Sequence, residues 1–204
     1  KDGKTAPLLP IQHLKRPVHT LMEDFNQDGF TDVVVCEFGK WTGGLSLFLQ
    51  HENGFNKVTL DSRPGATKAY ARDWNHDGLM DIAALFAQGD EGIDLYLNKG
   101  NGIFEKQKLL QFSPSNGSSF FNLYDYDGDG LEDIFYTAGD NADFNPVLKP
   151  YHGIYIFHNE GHNTFKQTFF YQLNGAYAVI PDDFDQDGDL DLAAISFFPD
   201  YQNQ

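Results

Sequence analysis

Nine residues recur four times in register along the chain, and this repeat restricts the fold more than any other feature. The segments are Asp24-Phe25-Asn26-Gln27-Asp28-Gly29-Phe30-Thr31-Asp32, Asp73-Trp74-Asn75-His76-Asp77-Gly78-Leu79-Met80-Asp81, Asp125-Tyr126-Asp127-Gly128-Asp129-Gly130-Leu131-Glu132-Asp133 and Asp183-Phe184-Asp185-Gln186-Asp187-Gly188-Asp189-Leu190-Asp191. All obey D-x-[DN]-x-D-G-x-x-D. Side-chain oxygens at positions 1, 3 and 5 can converge on one hard cation, glycine at position 6 permits a sharp turn, and position 7 can offer its carbonyl. That carbonyl belongs to Phe30, Leu79, Leu131 or Asp189, and the position 9 aspartate, Asp32, Asp81, Asp133 or Asp191, closes the shell. Asp- and Gly-rich turns also form without metal, but four copies in register exceed what turn propensity alone produces. Six to eight oxygens at roughly 2.3–2.6 Å suit Ca²⁺, whereas Mg²⁺ prefers a tighter octahedron and Zn²⁺ favours sulfur or imidazole. About four Ca²⁺ sites are therefore expected.

Charge follows the same pattern. The 204 residues carry 30 acids and 14 bases, a formal charge of -16, and the four segments hold 3, 3, 5 and 5 carboxylates without a Lys or Arg. The remainder of the chain is neutral. Such a balance excludes nucleic acid as a partner, since a polyanion would be repelled, and favours a cation. No run approaches the 18 or so apolar residues of a membrane span, and Cys36, being alone, can form no disulfide within the chain.

The segments start 49, 52 and 58 residues apart, a spacing typical of propeller blades and similar arrays. Each runs into a short apolar stretch, Val33–Cys36, Ile82–Phe86, Ile134–Tyr136 or Leu192–Ile195, whose length and composition predict a strand buried on both faces. Helix–loop–helix modules are disfavoured, because the position 12 residues are Val35, Ala84, Tyr136 and Ala194 rather than Glu. Alternating segments follow at Leu45–Leu49, Ile93–Leu97 and Ile154–Phe157, then Asn/Gly turns and strands opening at Phe55, Phe104 and Phe165. Four strands per repeat predict an all-β fold, a β-propeller of four-stranded antiparallel blades at about 16–63, 66–112 and 118–173, with a half blade at 176–198. The reading is one partial domain over 1–204, about three and a half blades cut from a longer protein. The position 2 aromatics Phe25, Trp74, Tyr126 and Phe184 are expected to pack between blades.

These loops, each followed by an apolar strand, resemble the FG-GAP repeats of integrin α-subunit propellers. The stretches Ile93–Phe104 and Gly153–Gly161 are similar to the bacterial VCBS-type version. The likeness covers about 16–198, although of the Phe-Gly and Gly-Ala-Pro signatures only Phe38-Gly39 is kept. It implies structural calcium on the face away from the ligand. The ligand face is then built by the connections after strands 2 and 4, where the third repeat carries an insertion over 139–152. Candidates on that face are Trp41, Asp90, Glu91, Asp140, Asn141, Tyr151 and His152.

Catalytic signals are few. His158-Asn159-Glu160-Gly161-His162 lacks the order and the helix of a zinc-protease motif and reads as a solvated hairpin turn. Nearly all paired carboxylates lie inside the metal loops. The leading expectation is a binding or adhesion module, extracellular, on the cell surface or periplasmic, where Ca²⁺ is plentiful. Its ligand is a carbohydrate or a protein, and open blade edges allow self-association. The rival is part of a secreted, propeller-based lyase or hydrolase acting on polysaccharide, supported by fold analogy alone.

Overall fold

A computed structural model describes residues 11–39, 41–140 and 148–198. Among these there is no helix. Strands β1 (Pro17–Glu23), β2 (Asp32–Glu37), β3 (Gly44–His51) and β4 (Gly54–Asp61) form one sheet in chain order. Strands β5 (Ala66–Arg72), β6 (Asp81–Phe86), β7 (Gly92–Asn98) and β8 (Phe104–Gln111) form a second. A third is built from β9 (Ser118–Tyr124), β10 (Asp133–Ala138), β11 (Gly153–Asn159) and β12 (Phe165–Gln172), and β13 (Ala176–Asp182) pairs with β14 (Asp191–Ser196). This is the fold of an incomplete β-propeller with four-stranded antiparallel blades.

The apolar stretches after the loops become the second strand of each sheet. Every residue of β6 and β10 is buried, as is all of β2 except Val33. Strand β14 has similar composition, yet its last four residues are exposed and Ile195 reaches 60%. The difference is one of neighbours, since β14 pairs only with β13 among the described residues. Of the edge strands that end each four-stranded sheet, β12 is almost wholly exposed, while β4 and β8 mix exposed and half-buried residues. Strand β3 and its counterparts β7 and β11 all open on glycine for a steric reason. A Cβ at Gly44, Gly92 or Gly153 would press into the backbone carbonyl of Asp61, Leu110 or Tyr171 on the adjacent strand.

The chain divides into two compact units. The first comprises Lys1–Ala84 and Leu95–Gln107. Its buried side chains include Phe25, Val34, Cys36, Leu45, Leu47, Ile82, Leu95 and Tyr96. Phe25 meets Phe104 edge-on at 6.3 Å, and His19 Nε2 lies 3.0 Å from the Ala69 carbonyl, joining β1 to β5. Burial pushes the Cys36 thiol up to about 12, so it is an inert core group.

Asp61, at the end of β4, is a charged anchor of this unit. Burial alone would raise its carboxyl, but charge-assisted bonds from Arg63 (3.0 Å) and Lys106 (2.7 Å), the Arg63 backbone N–H and the Tyr96 hydroxyl outweigh burial and hold it well below the usual range. A carboxyl depressed in the folded state contributes stability above its unfolded value, near 3.8, and loses it as pH falls towards the folded value. Asp61→Asn should therefore cost about 2–3 kcal/mol at neutral pH. In denaturant titrations the gap between variant and parent should stay constant above about pH 5 and close as pH drops below about 4. A gap independent of pH would remove the ionic contribution.

The second unit comprises Leu85–Asp94 and Lys108–Gln204. Phe135, Ile154, Ile156 and Val179 form a core cluster, flanked by Tyr126, Leu173, Leu190 and Leu192. Phe112 stacks on Tyr136 with ring centroids 4.0 Å apart. Ser119 Oγ donates to the Ala176 carbonyl at 2.8 Å and Thr137 Oγ1 to the Tyr177 carbonyl at 3.0 Å, so hydroxyls tie β9 and β10 to β13. The position 2 aromatics differ among themselves. Phe25 is 1% exposed and Tyr126 packs on the core cluster, while Phe184 is 54% exposed, against the expectation of packing. Phe184 opens a loop of the two-stranded sheet, which has no third strand beside it among the described residues.

Candidate metal sites

Each acidic loop connects the first two strands of its sheet and folds by the same hydrogen bonds. In all four, Oδ1 of the position 1 aspartate accepts the position 5 N–H at 3.0–3.1 Å, and Oδ2 accepts the position 6 N–H at 2.8–3.1 Å. Oδ1 of the position 5 aspartate accepts the position 7 N–H at 2.8–3.0 Å. The turn requires left-handed backbone at position 6, where Gly29, Gly78, Gly130 and Gly188 have φ of 87–95°. Position 4 is left-handed as well, and three of its four occupants, Gln27, His76 and Gln186, are not glycine.

The position 9 aspartate leaves the loop surface and enters the core. Asp32, Asp81 and Asp133 are at most 1% exposed. Oδ2 of each accepts the backbone N–H of position 2, from Phe25 (3.0 Å), Trp74 (2.9 Å) and Tyr126 (3.2 Å). Oδ1 accepts a backbone N–H near the end of the third strand, from Gln50 (2.8 Å), Asn98 (2.7 Å) and Asn159 (2.7 Å). One carboxylate thus closes the loop and fastens it to the third strand. Asp191 accepts the Phe184 N–H at 3.1 Å. Each Oδ2 of these carboxylates accepts one backbone N–H and keeps a second lone pair, so this clamp is compatible with cation binding.

In the last two loops, where position 3 is also a carboxylate, predicted ligands lie close together. Carboxylate oxygens of Asp125, Asp127 and Asp133 lie within 4.8 Å of one another, as do those of Asp183, Asp185 and Asp191. A third group joins Asp127 and Asp129 to the imidazole of His158. In the first two loops position 3 is Asn, and its amide donates to position 5, Asn26 to Asp28 at 2.8 Å and Asn75 to Asp77 at 2.9 Å. Phe30, Leu79, Leu131 and Asp189 stand at position 7 with their N–H groups bound inside the loop.

Electrostatics point the same way. Burial raises the carboxyls of Asp32, Asp81 and Asp133; the backbone N–H donors oppose it, and neighbouring loop carboxylates raise them further. A cation among these groups relieves the repulsion. The donors are hard oxygens with no thiolate, which fits a Ca²⁺-type ion.

Three participants are invisible to motif reasoning. Asn98 donates its N–H to Asp81, its amide to the carbonyls of Phe25 (2.8 Å) and Met80 (3.1 Å), and accepts from Gly100 N–H. Asn159 repeats this arrangement with Asp133, Glu132 and Gly161. The available signal is Asn-x-Gly closing the third strand of two repeats. His158, read from sequence as part of a solvated turn, instead stands in β11 with Nδ1 3.1 Å from Asp133 Oδ1 and 3.5 Å from Asp127 Oδ2.

Residues expected on a ligand face divide into exposed and buried. Trp41 is 83% exposed. Asp90 meets Lys108 and Gln111, Asp140 is exposed, and Tyr151 is half-buried with its ring against His152. Asn141 lies outside the described residues. Glu91 and His152 are turned inward. Glu91 Oε2 accepts both the N–H and the hydroxyl of Ser118, and that hydroxyl meets Tyr136 OH at 2.7 Å, a buried link from the turn before β7 to β9 and β10. His152 is fully buried, its ring nitrogens have no hydrogen-bond partner, and burial, with Lys149 nearby, lowers it to about 4 against the pull of Asp140. Both side chains occupy the position just before the opening glycine of the third strand, where the chain turns into the sheet.

The chain also matches a known protein family. The FG-GAP-like repeat model aligns to residues 24–84, 73–136 and 125–194. Each alignment opens at an acidic loop and closes within the strand that follows the next one.

Proposed function

The chain belongs to the FG-GAP-like repeat family, and from that premise we propose that it is a calcium-stabilised propeller segment acting as an extracellular, cell-surface or periplasmic binding or adhesion module. The observation that carries this reading is the position 9 clamp, which fixes each of the first three acidic loops to its sheet, together with the close grouping of carboxylates in the third and fourth loops. In each loop the ion would be held by positions 1, 3 and 5, the position 7 carbonyl and the position 9 carboxylate. Bound Ca²⁺ supplies positive charge that cross-links groups otherwise repelling one another. The chain's own contribution is to hold the loop backbone ready, through its left-handed turns and the clamp.

The opposite ends of the strands, with Trp41 and the connection over 139–152, are assigned to ligand contact. An exposed indole suits stacking on a sugar ring or a protein side chain. Calorimetric titration of chelator-stripped protein with Ca²⁺ tests the metal reading. About four sites support it, and no binding at millimolar Ca²⁺ overturns it. For the ligand face, Ca²⁺-loaded protein is applied to arrayed glycans and extracellular-matrix proteins. Capture that Trp41→Ala abolishes supports the assignment, while equal capture by both forms removes Trp41 from it.

A further inference from the structure

The third acidic loop differs from the others through one side chain on a neighbouring strand. Oδ1 of Asp32, Asp81 and Asp133 accepts the N–H of Gln50, Asn98 and Asn159, so these three positions correspond. The residues just before them are Leu49, Leu97 and His158. Two sheets therefore carry leucine at this register position, and the third carries an imidazole.

That imidazole is held facing the loop. Tyr126 meets it edge-on at 6.0 Å, and its side chain is 24% exposed. Nδ1 lies 3.5 Å from Asp127 Oδ2 and 3.1 Å from Asp133 Oδ1, and ligand atoms of His158, Asp127 and Asp129 all fall within 4.8 Å. Two donors bound to one ion at roughly 2.1–2.4 Å are about 3–4.5 Å apart, so these separations need little adjustment for shared coordination. The chemistry of the set changes with the nitrogen. Ca²⁺ prefers oxygen alone, whereas mixed imidazole and carboxylate donors suit first-row transition ions.

We propose that the third loop is a mixed nitrogen–oxygen site in which His158 Nδ1 is a ligand, and that it takes a divalent first-row transition ion in preference to Ca²⁺. The inference rests on the reading of the loops as divalent-cation sites and adds that the four are not equivalent. In this structure Nδ1 is hydrogen-bonded to Asp133 Oδ1 at 3.1 Å, so ligation exchanges that hydrogen bond for a bond to the ion, in the neutral tautomer that carries its proton on Nε2, and Asp127 and Asp129 supply the carboxylates.

Mn²⁺ is the probe. Chelator-stripped protein receives one equivalent of Mn²⁺ with Ca²⁺ in about 100-fold excess, enough to occupy oxygen-only loops. Electron spin-echo modulation then reports any nitrogen bonded directly to the manganese. The expected result is imidazole nitrogen modulation in the parent protein and none in His158→Leu. That variant should also lose about tenfold or more of the Mn²⁺ preference while keeping the parent's circular dichroism, since leucine occupies the corresponding place in two other sheets. Mn²⁺ without nitrogen modulation overturns the proposal, as does unchanged preference in a folded His158→Leu. Ca²⁺ stoichiometry separates the two readings. About four Ca²⁺ sites with no nitrogen signal defeat this inference alone, and no cation binding in any loop defeats both.

Discussion

Excess Ca²⁺ added to chelator-stripped protein will raise its melting temperature by roughly 20–40 °C. An ion that binds the folded chain alone stabilises it by about 2.7 kcal/mol per site when present at about 100 times its dissociation constant. Four loops then supply on the order of 11 kcal/mol, and a chain of about 200 residues gains about 2–4 °C per kcal/mol. The unfolded chain offers no competing site, because ligands only two residues apart converge only when the turn is formed. Each compact unit contains two loops, 24–32 and 73–81 in the first and 125–133 and 183–191 in the second. If the units melt separately, both transitions should therefore move. Sodium chloride at matched ionic strength should give only a small shift, since screening relieves repulsion without coordinating oxygen. An equal shift with sodium, or a rise below about 5 °C, would contradict specific binding.

Replacing the clamp should be costly even without metal. Asp81→Ala removes the acceptor for the N–H groups of Trp74 and Asn98 at a site 1% exposed. Two unsatisfied buried donors and the loss of charge-assisted bonds should cost about 3–5 kcal/mol in chelator. The contrast is Asp77→Asn at exposed position 5 of the same loop. An isosteric change there should alter stability in chelator by less than about 1 kcal/mol and weaken Ca²⁺ binding at one site. Urea titrations with and without Ca²⁺ separate the two behaviours. Equal losses in chelator would show that position 9 has no structural role of its own.

Much of this molecule is legible in sequence because its information is local. A nine-residue pattern encodes each turn, and short β-branched or aromatic runs encode the strands that follow. The clamp is harder to read, because the partners of Asp32, Asp81 and Asp133 lie 18, 17 and 26 residues away, across a connection of variable length. His158 escapes notice for the same reason: its meaning comes from the loop opposite it, and its local context of Asn and Gly suggests only a turn. Left-handed backbone at Gln27, His76 and Gln186 has no glycine to announce it. The inward orientation of Glu91 and His152 follows from the turn before the third strand, for which alternation gives no rule. Strand β14 shows the converse, a core-like sequence exposed because burial is a property of neighbours.

The clamp also gives the repeat two ends with different evolutionary freedom. At the acidic-loop end the loop is nine residues long in all four copies, since one residue more or fewer would carry the position 9 carboxylate away from its donors. At the other end, the second and third strands are joined by 6 residues in the first sheet, 5 in the second and 14 in the third. Duplication of such a unit copies a rigid foundation together with a connection free to lengthen. The exposed surface can then diversify at one end of a blade while the other end continues to specify the fold.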